Sequence, residues 1–257
     1  ELVADAQKLA AEERHEEVLA LLGDFMEELS EDPQALALFA ESRIRVPAEH
    51  NLHVLSARDA WLRANDLKPG DPEILRRLFD VYISLEKPDS AIRFGRAACD
   101  ATPKDAELHV VLAQLLVDNN NSEDAVNYSD RALKLEPQSI NALQVRLDAM
   151  HQQGQSEQEL FELIIRQGED GELQIPRTLC DFAVAIIIDD DAQAELGEKA
   201  AAEADELNSA QKKWLAGHLE TCGLTTLAIG VLQTAGDEAE LAQACLLYTS
   251  PSPRDGT

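Results

Sequence analysis

The sequence predicts an all-α chain, a solenoid of antiparallel helix pairs. Three observations carry that prediction. Ala, Leu, Glu and Asp dominate a composition that is 45% hydrophobic and only 4% aromatic, which favours helix over strand. Apolar residues recur at helical spacing, and no long β-branched alternating run competes with them. The nearest such run, Ala183-Val184-Ala185-Ile186-Ile187-Ile188, sits inside a longer helical pattern. Finally, Pro69, Pro103 and Pro137 stand 34 residues apart, the mark of a repeated unit.

The elements follow in chain order. Val18, Leu21, Leu22, Phe25, Met26 and Leu29 predict one amphipathic helix within an N-terminal helical pair, 1–33. In 34–71 a first helix through Leu36, Phe39 and Val46 runs into Pro47. The stretch Pro47–Asn51 reads as a lengthened turn, and a second helix carries Ala57, Trp61 and Ala64. Segments 72–105 and 106–139 repeat this layout most cleanly. Ala57, Ala91 and Ala125 share one register position, and Ala64, Ala98 and Ala132 share another seven residues on. Small residues at those positions let helices of neighbouring units approach closely. Each proline stops the second helix, and Asp71 and Asp105 stand where the next helix needs a cap.

Segment 140–171 keeps Leu143, Met150 and Gly154 in register, but Glu159 replaces the expected alanine and no proline ends it. Over 172–244 the helical pattern continues. Leu179, Phe182, Ala183, Ile186 and Ile187 form a stripe, followed by a helix predicted over Ala192–Leu207 behind the Asp189–Asp191 turn. A pair over Ala210–Cys222 and Leu224–Thr234 comes next, and a further helix starts near Asp237.

These features resemble the tetratricopeptide repeat family, and the chain reads as a truncated, bacterial-type member. Leu112 and Ala113 match the family's Leu-Gly step, Ala125 and Ala132 its small positions, and Pro137 its terminal proline. Phe79 replaces the small residue of that step in 72–105, while His109 and Leu75 stand where the family often has Trp. The resemblance implies a right-handed superhelix whose concave groove binds an extended peptide or a partner helix, without cofactor, metal or catalysis. Carried over residue by residue, the groove positions are Arg76, Arg77, Asp80 and Ile83, then Val110, Gln114 and Val117, then Gln144, Asp148 and His151. The plainer account is that these are solvated helix residues, with Arg77 and Asp80 an i,i+3 pair. A clamp for a chaperone's terminal carboxylate is not supported, because Asp148 would repel it.

Charge narrows the function classes. A formal net charge of −27 repels phosphate backbones and anionic membrane surfaces. It permits a basic protein partner, although acidity also serves solubility. Residues 1–32 hold eleven acids against two bases, and 189–206 hold eight against one, but neither block has the ligand alternation of a calcium loop. Cys99, Cys180, Cys222 and Cys245 form no CxxC pair. His50 and His53 beside Glu49 make a weak metal candidate. No phosphate loop, nucleophile elbow or HExxH motif occurs. No apolar run is long enough to span a membrane. The compartment is left open.

Two further expectations concern the ends. The chain starts on Glu1 without Met, and its last stretch, CLLYTSPSPRDGT, matches the body in nothing. The eleven residues Cys245–Asp255 back-translate to the transposase end and adapter used in short-read library preparation. Residues 245–257 are therefore expected to be non-native and to pack against nothing. The chief rival to a scaffold is the non-catalytic arm of a larger enzyme, such as a glycosyltransferase, sulfotransferase or protease. An envelope assembly factor is a third reading.

Overall fold

The computed structural model describes residues 2–25, 31–48, 52–188 and 192–235, and these are helical with short connections. The chain divides into two compact units, residues 1–108 and 109–257.

Unit 1 contains α1 (Leu2–Ala11), α2 (His15–Gly23), α3 (Pro33–Arg45), α4 (Leu52–Leu67), α5 (Pro72–Ser84) and α6 (Pro88–Ala101). Helix α7 (Ala106–Asp118) starts in this unit and continues into the next. Unit 2 continues with α8 (Ser122–Leu135), α9 (Ile140–Gln152), α10 (Glu157–Glu169), α11 (Arg177–Ile188), α12 (Gln193–Ala202), α13 (Ser209–Thr221) and α14 (Thr225–Ala235). Sequential helices pack as pairs: α3 on α4 and α5 on α6 in the first unit, α8 on α9 and α13 on α14 in the second.

One turn closes successive pairs. Glu86, Asn120 and Gly154 lie 34 residues apart and all adopt positive φ, at 54°, 57° and 87°. Each closes its helix in the same way: Lys87 N donates to Tyr82 O, Asn121 N to Leu116 O, and Gln155 N to Met150 O, at 2.8–3.1 Å. This six-to-one closure satisfies a carbonyl that the helix end would otherwise leave unpaired. Glu13 and Gly223 make the same turn after α1 and α13.

A second device starts the helices that follow. Asp71, Asp105 and Ser139 also stand 34 apart, and their side chains accept from Ile74 N, Leu108 N and Ala142 N. Asp32-Pro33 opens α3 as Asp71-Pro72 opens α5, with the carboxylate capping and proline preset at the first helical position. The aligned alanines 57, 64, 91, 98, 125 and 132 are all fully buried.

Several sequence expectations shift. The amphipathic stripe from Val18 does not continue as one helix: α2 ends at Gly23 and Phe25 is 40% exposed beyond it. Met26 and Leu29 lie outside the described residues. Helix α3 ends before Val46, whose backbone is extended. Glu159 departs from the repeat because it is the third residue of α10, where its carboxylate accepts from Ser156 N in a capping box. The buried role passes one residue on, to Leu160. The helix expected over Ala192–Leu207 stops at Ala202 and gives way to a 3₁₀ turn, Ala204–Glu206. Leu207 turns extended so that Asn208 can cap α13. The start expected near Asp237 and the tail 245–257 lie outside the described residues.

Candidate functional site

In unit 1 the residues singled out on α5 form an ion-pair ladder. Arg76 lies 3.4 Å from both Asp80 and Asp105. Arg77 pairs not with Asp80 but with Glu41 of α3, at 3.4 Å. Burial pushes the Asp80 carboxyl above its ordinary range, against the pull of Arg76 and Arg77. Ile83 is partly exposed at the end of the same helix.

In unit 2 the predicted residues separate into three environments. Val117 is buried, and its carbonyl accepts from Gln152 Nε2 at 3.3 Å; Val110 packs against the core. Gln114 remains exposed and donates to Asp118 Oδ1 at 2.9 Å. Asp148 of α9 is half-buried, and its carboxyl is pushed up to about 6. Burial is the main cause; Asp118 adds to it, and His151 opposes it. A carboxylate held this way gains more than an exposed one from a cation brought against it.

Gln144 has a different fate. Trp214 Nε1 donates to its Oε1 at 2.5 Å, and His218 Nε2 lies 3.4 Å from its Nε2. His218 Nδ1 in turn lies 2.8 Å from the Trp214 carbonyl. With the proton on Nδ1, the indole, the amide and the imidazole form a closed ring of donors and acceptors. The Trp214 ring also meets His218 at 4.2 Å and Phe182 edge-on at 6.0 Å. Gln211 Nε2 extends the attachment by donating to Gln138 O at 3.0 Å. Helix α13 is thus fastened to α9 although three helices, α10, α11 and α12, separate them in the chain. No local signal in the sequence ties Trp214 to Gln144, 70 residues away.

Other candidates resolve simply. His53 Nδ1 lies 3.2 Å from the Ala48 backbone nitrogen, while Glu49 and His50 lie outside the described residues. Among the described residues no group of three His, Cys, Asp or Glu side chains is placed to hold a metal. Cys99 and Cys180 are buried, and burial pushes the Cys180 thiol up to about 12. No described helix is long and apolar enough to cross a membrane.

The chain is similar to solved helical-repeat structures. It superposes on MamA of AMB-1 with a TM-score of 0.55 at 16% identity, over 62% of this chain and 84% of that one. A further MamA crystal structure gives 0.53 at 11% identity, over 78% and 92%. A tetratricopeptide repeat protein from Parabacteroides merdae ATCC 43184 gives 0.54 at 15% identity, over 97% and 98%. No protein-family model matches the chain, and no curated protein does. The likeness defines the class: the chain has the all-α tetratricopeptide-repeat fold.

Proposed function

We propose that the chain is a protein-interaction scaffold without chemistry of its own, holding an extended peptide or helix of a partner against the first helices of its repeats. The observation that carries this reading is Asp148. A half-buried carboxyl with a raised pKa, beside Asp118 and opposed only by His151, sits on α9 among neighbours that satisfy one another. Its electrostatic demand is met by a Lys or Arg side chain from outside. In unit 1 the Arg76 guanidinium, shared at 3.4 Å between two carboxylates, can take a partner carboxylate in the same way.

An array of extended peptides differing only in one Lys, Arg, Glu or Ala position tests this. Basic peptides are expected to bind best, more tightly at pH 7 than at pH 5, because Asp148 ionises in between. Asp148→Asn is expected to remove that pH dependence, and Arg76→Glu to weaken peptides that carry a Glu. Binding that is indifferent to peptide charge and to both substitutions would sink the proposal.

A further inference from the structure

Within unit 2, the contact between α13 and α9 contains a group that can change charge. Trp214 Nε1–H donates to Gln144 Oε1 at 2.5 Å, Gln144 Nε2–H faces His218 Nε2 at 3.4 Å, and His218 Nδ1–H faces the Trp214 carbonyl at 2.8 Å. The indole nitrogen can only donate, so it fixes the amide oxygen on its own side. The amide NH₂ is then left facing His218 Nε2, which accepts only while it carries no proton.

A proton on Nε2 leaves this contact unsatisfied. Two donors then face each other between Gln144 and His218. Turning the amide over gives the imidazolium its acceptor but sets the NH₂ against the indole N–H. Either way one donor of a part-buried contact has no partner. His218 is half-buried, so water can deliver the proton, whereas Trp214 is buried. Histidine is the side chain whose charge changes most readily near neutral pH.

The charged neighbours do not offset the conflict. Helix α13 packs against α9, α12 and α14, and the Phe182 ring of α11 meets Trp214. On α9, Arg146 is paired with Asp130, and Asp148 is opposed by His151. On α12, Glu195 pairs with Lys199 and Glu198 is exposed; on α11, Arg177 pairs with Asp181 and Cys180 is buried. Helix α14 has no titratable side chain. Helix α13 itself carries Lys212, Lys213 and Glu220, and the Cys222 thiol after it donates to Gln193 Oε1. Among the described residues His218 meets Gln144 and the Trp214 carbonyl, and no carboxylate pairs with it. The neighbour that favours the charged ring is the Trp214 indole, 4.2 Å away. Both rings belong to α13, so the contact that gives way is the one to Gln144 of α9.

We infer that His218 is a pH-sensitive latch. Neutral, it locks the Gln144 amide and holds α13 on α9; protonated at Nε2, it loosens that contact. Loosening also frees the Gln144 amide, which lies one helical turn from Asp148. The inference concerns unit 2 alone and does not depend on the chain's binding peptides.

The test uses the full chain labelled with ¹⁵N, carrying Asp148→Asn throughout because that carboxyl titrates in the same range. The chain has two tryptophans and hence two indole N–H signals; the Trp61→Phe variant assigns them. Between about pH 8 and about pH 5 the Trp214 indole proton is expected to move upfield. Its protection from hydrogen exchange, corrected for the intrinsic effect of pH, is expected to fall about tenfold, the loss of one part-buried hydrogen bond. Imidazole nitrogen shifts report when His218 takes up its proton, and the indole change is expected to follow that curve. His218→Gln keeps an acceptor and takes up no proton, so it is expected to abolish the change. Gln144→Glu offers an oxygen to both the indole and the imidazolium, so it is expected to keep Trp214 protected at both pH values. An unchanged helical circular-dichroism signal confirms the fold of each variant. The inference is overturned if His218 stays neutral down to about pH 5, or if it protonates while the Trp214 signal stays still. It is equally overturned if folded His218→Gln or Gln144→Glu loses protection as the parent does.

Discussion

Trp214 and Gln144, 70 residues apart, are joined by a 2.5 Å hydrogen bond from the indole nitrogen to the amide oxygen. The bond lets α13 reach back to α9 within unit 2, and it uses a side chain that the repeat pattern assigns to partner contact. Trp214→Phe keeps the ring against Phe182 and His218 but removes the donor. The expected loss is about 1–2 kcal/mol, the cost of leaving a part-buried acceptor unpaired, read from urea unfolding. No change in midpoint would mean that the bond adds nothing to the packing of the rings.

Gly197 of α12 tests close packing at the same end of the chain. A methyl group there would stand 2.9 Å from Leu219 Cδ2 and 3.1 Å from Phe182 Cε2, and both side chains are fully buried. Alanine normally stabilises a helix interior by about 1 kcal/mol relative to glycine. At Gly230 of α14, where nothing lies within 4 Å, that gain is expected in full. At Gly197 the sign is expected to reverse, with a net loss of about 1–3 kcal/mol from overpacking. Thermal melts of the two Ala variants give the comparison, and equal shifts would contradict the geometry.

Asp148 sets a pH dependence of stability whose direction follows from its shift. Its ordinary value is 3.8 and its folded value about 6. Well below pH 3.8, the ordinary value, the carboxyl is neutral in both the folded and unfolded chain and carries no penalty. As pH rises through 6 it must ionise in a half-buried place, and that share of stability is lost. Asp148→Asn is therefore expected to match the parent near pH 3, below both values, and to exceed it at pH 7. The excess is expected to be about 1 kcal/mol, the full shift being discounted for partial contact with solvent. Denaturant melts at both pH values check the sign.

Glu86 occupies a left-handed position, φ 54°, that Gly154 fills with glycine in a later repeat. Glu86→Gly is expected to relieve about 1 kcal/mol of backbone strain, and Gly154→Ala to introduce a similar amount. Opposite shifts in melting temperature are the expected result; a loss in both would mean that the Glu86 side chain has a packing role.

The repeat was legible because its physics is local. Proline spacing, buried alanines and capping aspartates each report on a few neighbouring residues, and all fall where a 34-residue helical pair needs them. The register change at Glu159 was visible as an anomaly, but its cause was not: Ser156 and Glu159 make a capping box only if α10 starts one residue later. The candidate site was less legible. Position on a first helix identified Gln144 and Asp148 together, yet one is consumed by Trp214 and the other left half-buried beside Asp118. Nothing in the local pattern separates those outcomes, because both depend on contacts with distant helices. The turn after Gly23 and the early end of α12 were missed for a simpler reason: apolar periodicity continues past both.

The fastening of α13 to α9 bears on how unit 2 comes apart. In a plain array each pair touches only its neighbours, so terminal pairs fray one by one. Here the end of unit 2 is tied back to a helix near its start by Trp214–Gln144 and Gln211–Gln138. Opening α13 alone must break that tie, so amide hydrogens of α9 and α13 should exchange as a single cooperative block.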